Sequence, residues 1–138
     1  MPTTNMVLLV EDEPLVRTFA TLFLEDLGCP YEIAGSRDEA LRLLQDHAEK
    51  VAIVFTDMRM STDDDGAELA RIVSRRWSWI ALLVTSGGEH PRPAALPGKA
   101  KFVSKPWRPD EVKRFLISRL KTASMKAHAE PEAPRTAH

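Results

Sequence analysis

One stretch, Val51-Ala52-Ile53-Val54-Phe55, constrains this chain more than any other. A strand with one wet face alternates apolar and polar side chains, whereas a strand covered on both faces is apolar throughout. Both faces are covered when helices cross from strand to parallel strand on either side of a sheet. Four other apolar runs fit the same plan: Met6–Val10, Tyr31–Ala34, Ile80–Thr85 and Lys101–Val103.

Helical periodicity fills the gaps. Pro14–Leu27 puts Leu15, Phe19, Leu22 and Phe23 near one face, with Pro14 suited to the first turn and Gly28 to the end. Ser36–His47 opens on a capping box, Ser36 with Glu39, and aligns Leu41 with Leu44. Ala67–Trp77 groups Leu69, Ile72 and Val73, and Pro109–Leu120 groups Val112, Phe115, Leu116 and Leu120. The order is β-α-β-α-β-α-β, a doubtful element, then β-α, which predicts an α/β protein with a doubly wound five-stranded parallel sheet. The doubtful element carries Gly87, Gly88, Pro91, Pro93, Pro97 and Gly98. Proline removes a donor and disfavours helix before it, so a short or irregular fourth helix is expected there. Residues 1–121 form the expected domain. Residues 122–138 lack apolar periodicity and read as a frayed helix end followed by a disordered tail.

Bulk properties narrow the function classes. The chain has 138 residues, one domain's worth, and 19 basic against 20 acidic residues for a net charge of −1. That balance argues against a dedicated nucleic-acid binder or a polybasic membrane anchor. Cys29 is the sole cysteine, which excludes an internal disulfide and a cysteine-based metal cage and suggests a buried, inert thiol. The N-terminus lacks a signal-peptide pattern, and no apolar run approaches membrane-spanning length. A cytoplasmic protein is expected.

In an open parallel sheet the ligand site lies beyond the carboxyl ends of the strands. Glu11, Asp12 and Glu13 follow the first strand, Asp57 ends the third, Thr85 and Ser86 end the fourth, and Lys105-Pro106 follows the fifth. Three acids in place of a glycine-rich turn would repel a bare phosphate. Two carboxylates about 5 Å apart repel by roughly 3 kcal/mol at an effective dielectric of about 20, whereas a dication about 4 Å away attracts each by roughly 8 kcal/mol. The donors are all oxygen, which suits Mg²⁺ and leaves room for phosphate oxygens. A carboxylate can then be the phosphoryl acceptor. Asp57 ends the most apolar strand and is the expected nucleophile, with Lys105 and the Thr85 hydroxyl neutralising the transferred group. Taken singly, each residue has a plainer role. The acids can cap or complement a helix, Asp57 can bond its own turn, Thr85 can be an ordinary strand residue, and Lys105 a solvated charge. Their joint arrival at four strand ends favours the site.

With Val7-Leu8-Leu9-Val10-Glu11-Asp12-Glu13-Pro14, Asp57-Met58-Arg59-Met60, Thr85-Ser86-Gly87 and Phe102-Val103-Ser104-Lys105-Pro106 in this order, the chain resembles the receiver domain of two-component response regulators over about residues 5–121. The resemblance implies a (βα)5 sheet of order 2-1-3-4-5, the flavodoxin-like topology shared by chemotaxis regulators. It implies that Asp57 accepts a phosphoryl group from a histidine kinase or histidine phosphotransfer protein. Mg²⁺ or Mn²⁺ would be held by Asp12, Asp57 and the Arg59 backbone carbonyl, with Glu11 acting through water. Thr85 and Phe102 match the family's switch pair, and Lys105–Pro106 its cis peptide. Catalysis would be limited to the domain's own phosphorylation and dephosphorylation. The tail is too short for a DNA-binding unit, so a stand-alone receiver is expected, monomeric or weakly dimeric, signalling to a protein partner and to neither nucleic acid nor membrane.

Two departures from the family stand out. Ser61-Thr62-Asp63-Asp64-Asp65-Gly66 replaces a shorter loop with a proline, and the fourth-helix segment is rich in proline. Phosphorylation is expected to order the Gly87–Gly98 segment, with Thr85 at its base. Rival readings are an aspartyl-phosphate hydrolase, which generally needs a second Asp where Arg59 stands; a flavin or nucleotide binder, whose phosphate loop would not be three acids; and a receiver fold acting as a binding module without phosphorylation.

Overall fold

The structure, a computed structural model, describes residues 5–60, 65–87 and 96–129, the last nine by backbone alone. Five strands, β1 (Met6–Val10), β2 (Tyr31–Ala34), β3 (Val51–Asp57), β4 (Ala81–Ser86) and β5 (Lys101–Ser104), form one sheet of order β2-β1-β3-β4-β5. All four pairings are parallel. The helices are α1 (Pro14–Leu27), α2 (Arg37–His47), α3 (Asp65–Arg76) and α4 (Pro109–Ala129), with a 3-10 turn at Ala48–Lys50. This is the expected doubly wound α/β fold.

Side-chain alternation along the strands divides the core into two layers. Leu8, Val10, Val54, Leu82 and Val84 face Ala40 and Leu44 of α2 and Leu69 and Val73 of α3. Val7, Leu9, Ile53, Phe55, Leu83 and Val103 face Ala20 and Leu24 of α1 and Val112 and Leu116 of α4. Residues 51–56 of β3 are all buried, as its uniform apolar run predicts. Each such Val, Leu or Ile contributes roughly 1.5–3 kcal/mol when removed from water.

Local signals act where the sequence placed them. The Glu39 amide donates to Ser36 Oγ at 3.1 Å, and the Glu39 carboxylate accepts from the Gly35 amide at 2.8 Å. Gly28 ends α1 at φ +73°, a left-handed conformation that glycine adopts without a Cβ penalty.

Three expectations need correction, on α1, α3 and Cys29, and one helix end gains a definite length. Helix α1 buries Ala20 and Leu24, not the Leu15–Phe19–Leu22 stripe, which stays 79%, 55% and 60% exposed. This helix is apolar on more than one face, so periodicity alone leaves its rotation open, and small Ala20 is the side that lets it approach the sheet. Helix α3 starts at Asp65 rather than Ala67, because Asp65 and Glu68 complement the helix dipole in its first turn. Helix α4 continues past Leu120 to Ala129, through alanines, lysines and a methionine whose intrinsic helix propensity is high. Cys29 is half-buried; its thiol faces the Leu24 carbonyl at 3.7 Å, and burial pushes its pKa up.

The acidic loop at 61–64, most of the proline-rich element at 88–95, and the tail from 130 lie outside the described residues. Leu96 and Ala100, which lead into β5, are buried in the α2–α3 layer. No helix among the described residues is long and apolar enough to cross a membrane.

Candidate functional site

The four side chains of the site follow from one period-two rule. Leu9, Phe55, Leu83 and Val103 all belong to the core layer under α1 and α4. Two residues further along each strand direction stand Glu11, Asp57, Thr85 and Lys105. Side chains two apart in an extended chain share a face, so a layer that is apolar inside the sheet turns polar at its carboxyl edge. The four residues line one small cavity of about 10 Å³, with Leu9, Val16, Ala20, Phe55 and Trp107 as its apolar walls.

Backbone bonds fix the rim. Asp57 lies directly beside Thr85 in the β3–β4 ladder, and the Met58 amide donates to the Thr85 carbonyl at 2.7 Å. The Lys105 amide donates to the Ser86 carbonyl at 2.6 Å, and the Lys105–Pro106 peptide is cis. Lys105 Nζ lies 3.0 Å from Asp57 Oδ2 and 3.9 Å from Glu11 Oε1, so one cation serves two carboxylates. Thr85 is 2% exposed, and the Asp57 side chain keeps 12% of its surface. The Arg59 amide approaches Asp57 Oδ1 at 3.5 Å.

Glu11 is buried at 4% exposure and departs from the plain capping role. Glu13 occupies the cap position of α1 without a side-chain bond, while the Glu11 carboxylate accepts the Glu13 amide at 3.2 Å. Burial first, and then the nearby Asp57 carboxylate, push the Glu11 pKa from 4.5 up to about 7; Lys105 and the Glu13 amide pull the other way, and Asp12 adds a smaller upward push. Two acids crowded around one ammonium, with oxygen donors only, suit a hard divalent cation. Among the described residues no set of three Asp, Glu, His or Cys side chains converges into a ready-made cage. Water and backbone oxygens would have to complete the shell, as Mg²⁺ permits.

Of the residues singled out in the sequence, Glu11, Asp57, Thr85 and Lys105 meet in the cavity. Asp12 is exposed at the rim, near enough to act on Glu11. Arg59 is exposed. Phe102 lies on the opposite face of the sheet, half-buried against the α2–α3 layer. Sequence reasoning missed Trp107, whose ring packs at 5.4 Å from Phe19, 5.3 Å from Phe23 and 5.9 Å from Phe55. Its signal was available: it stands two residues after Lys105. Gly66 was read only as the end of a loop, yet a β-carbon built there would lie 1.9 Å from the Asp57 carbonyl oxygen.

The sheet order β2-β1-β3-β4-β5 sets an acid, an acid, a hydroxyl and a lysine at four adjacent strand ends. The profile of the response regulator receiver domain family matches residues 7–117, and the chain belongs to that family. Among solved structures, an uncharacterized protein from Neptuniibacter caesariensis is similar at 23% identity and a TM-score of 0.77, with all of both chains covered. A response regulator receiver protein from Sinorhizobium medicae WSM419 is similar at 21% identity and a TM-score of 0.76, over 86% of this chain and 95% of that one. At such identities these likenesses speak for the fold. Receiver domains are signalling modules of two-component phosphorelays, are generally Mg²⁺-binding, and interact with histidine kinases or phosphotransfer proteins.

Proposed function

We propose that this chain is a phosphoacceptor that takes a phosphoryl group on Asp57 from a phosphohistidine donor in the cytoplasm and signals the change to a protein partner. The observation that carries the reading is Lys105 Nζ at 3.0 Å from Asp57 Oδ2, in a cavity shared with Glu11 and Thr85. An ionised Asp57 oxygen attacks the donor phosphorus; the new P–O bond forms as the P–N bond breaks, and the imidazole leaves. No separate base is required. Lys105 pairs with one phosphoryl oxygen and the Thr85 hydroxyl donates to a second, so charge is neutralised on two sides. Asp12, Asp57 and the Arg59 carbonyl, with Glu11 through water, would hold a divalent cation, which would supply neutralisation on a third. Trp107, Phe55 and Ala20 keep the buried side of the cavity dry, which strengthens these interactions.

The exposed Leu15–Phe19–Leu22 face gives the donor a place to dock. It borders the cavity through the Phe19–Trp107 contact. Thr85, held beside Asp57, and Phe102, on strand β5 next to it, would carry the switch toward the partner. Mixing the protein with a radiolabelled phosphohistidine donor tests the reading. Label should leave the donor and appear here as a hydroxylamine-sensitive acyl phosphate. Label that stays on the donor at equal donor and acceptor concentrations contradicts it and favours a binding module that works without phosphorylation.

A further inference from the structure

Arg37 is the first residue of α2, directly after its Ser36 cap. A cation there opposes the helix dipole, which favours anions at that end. Within its own helix the neighbouring Asp38 offsets part of that cost. The guanidinium also reaches across to α3: Nη1 donates to the Glu68 carboxylate and lies 3.8 Å from Asp65 Oδ1, while Nε lies 3.4 Å from Asp38 Oδ1. Asp65 and Glu68 are the acids of the first turn of α3, and Asp65 is buried.

Gly66 comes next in the chain. Its amide donates to the Met58 carbonyl at 2.8 Å, and its α-carbon is so close to the Asp57 carbonyl that no side chain fits between them. The start of α3 is thus pressed onto the backbone that carries Asp57. That start is acidic, carrying Asp65 and Glu68 in the first turn of α3. The two carboxylates share one turn, and their like charges repel. Arg37 bridges α2 to α3 with the opposite sign.

We propose that Arg37 is a positioning residue for the acceptor: it ties the first turn of α2 to Asp65 and Glu68 and so keeps Gly66 seated against the Asp57–Met58 backbone. The functional consequence rests on the phosphoacceptor reading; the seat itself does not.

Amide exchange of the metal-free full chain tests the seat, followed at Gly66 in the wild type, Arg37→Ala, Arg37→Lys and the double reversal Arg37→Glu with Glu68→Arg. Partly buried ion pairs of this kind shift local opening by roughly fivefold, so Gly66 should exchange about that much faster in Arg37→Ala, with the Val54 and Leu83 amides unchanged. Arg37→Lys and the double reversal should restore most of the protection. The Mg²⁺ dissociation constant, measured by calorimetry, should rise in parallel with Gly66 exchange. Unchanged Gly66 exchange in Arg37→Ala overturns the proposal. So does an acceleration that spreads equally to Val54 and Leu83, because that reports general destabilisation. Faster Gly66 exchange with unaltered Mg²⁺ binding overturns the link to the acceptor. If the wild type takes no phosphoryl group from acetyl phosphate, the acceptor reading falls alone, and the exchange comparison still decides the seat.

Discussion

At the scale of single residues, Glu11 and Lys105 divide the electrostatics of the pocket. The Glu11 pKa is raised from 4.5 to about 7, so the folded protein holds a proton that the unfolded chain releases between those values. Its contribution to stability is full below pH 4.5 and is lost as pH rises through 7. In metal-free protein, Glu11→Gln should therefore flatten the decline in denaturation midpoint over that window and raise the midpoint at pH 8. Identical pH profiles for the two proteins would count against the assignment. Lys105 sits where it neutralises Asp57, at 3.0 Å, and so competes with a bound cation. Removing it in Lys105→Ala should tighten Mg²⁺ binding several-fold while slowing phosphoryl transfer by roughly 100-fold, the scale for losing one group that stabilises developing charge. Parallel losses in both measurements would show that the lysine only holds the pocket together. Both residues were visible in the sequence as charges after apolar runs. Their unequal exposure relative to Asp12 was not, because which of three consecutive acids turns inward depends on strand phase.

At the scale of elements, the carboxyl ends of the strands made the site readable, and strand phase decides which side chains enter it. Leu9, Phe55, Leu83 and Val103 share a layer, and a count of two from each reaches a pocket residue. Helix α1 was less readable, since apolar residues on several faces leave its rotation to tertiary packing. The structure buries Ala20 and Leu24 and leaves Leu15, Phe19 and Leu22 to solvent. A docking role for that face makes a separable prediction. Leu15→Ser with Leu22→Ser removes exposed apolar surface and touches neither the cavity nor Trp107. Phosphoryl transfer from a phosphohistidine protein should fall by about tenfold, while transfer from acetyl phosphate should not change. An equal loss with both donors would place the damage in the fold rather than in docking. The extent of α4 past Leu120 was hard to read for the opposite reason: that helix end rests on propensity, with no apolar stripe to announce it.

At the scale of the whole molecule, a two-layer core holds four strand ends in register, and that register brings the acids, the hydroxyl and the lysine together. The parallel sheet was legible because uniformly apolar strands alternating with amphipathic helices admit few arrangements, and its order was implied by the resemblance to receiver domains. The contacts around Gly66, Arg37 and Trp107 were not, since each depends on how separate elements meet. The central claim concerns one atom group, the Asp57 carboxylate, and mass spectrometry reads it directly. After incubation with Mg²⁺ and acetyl phosphate, the wild type should gain the mass of a single phosphoryl group, mapped to the peptide containing Asp57, and Asp57→Asn should gain none. A wild type without added mass, or a label mapped to another residue, would contradict the account.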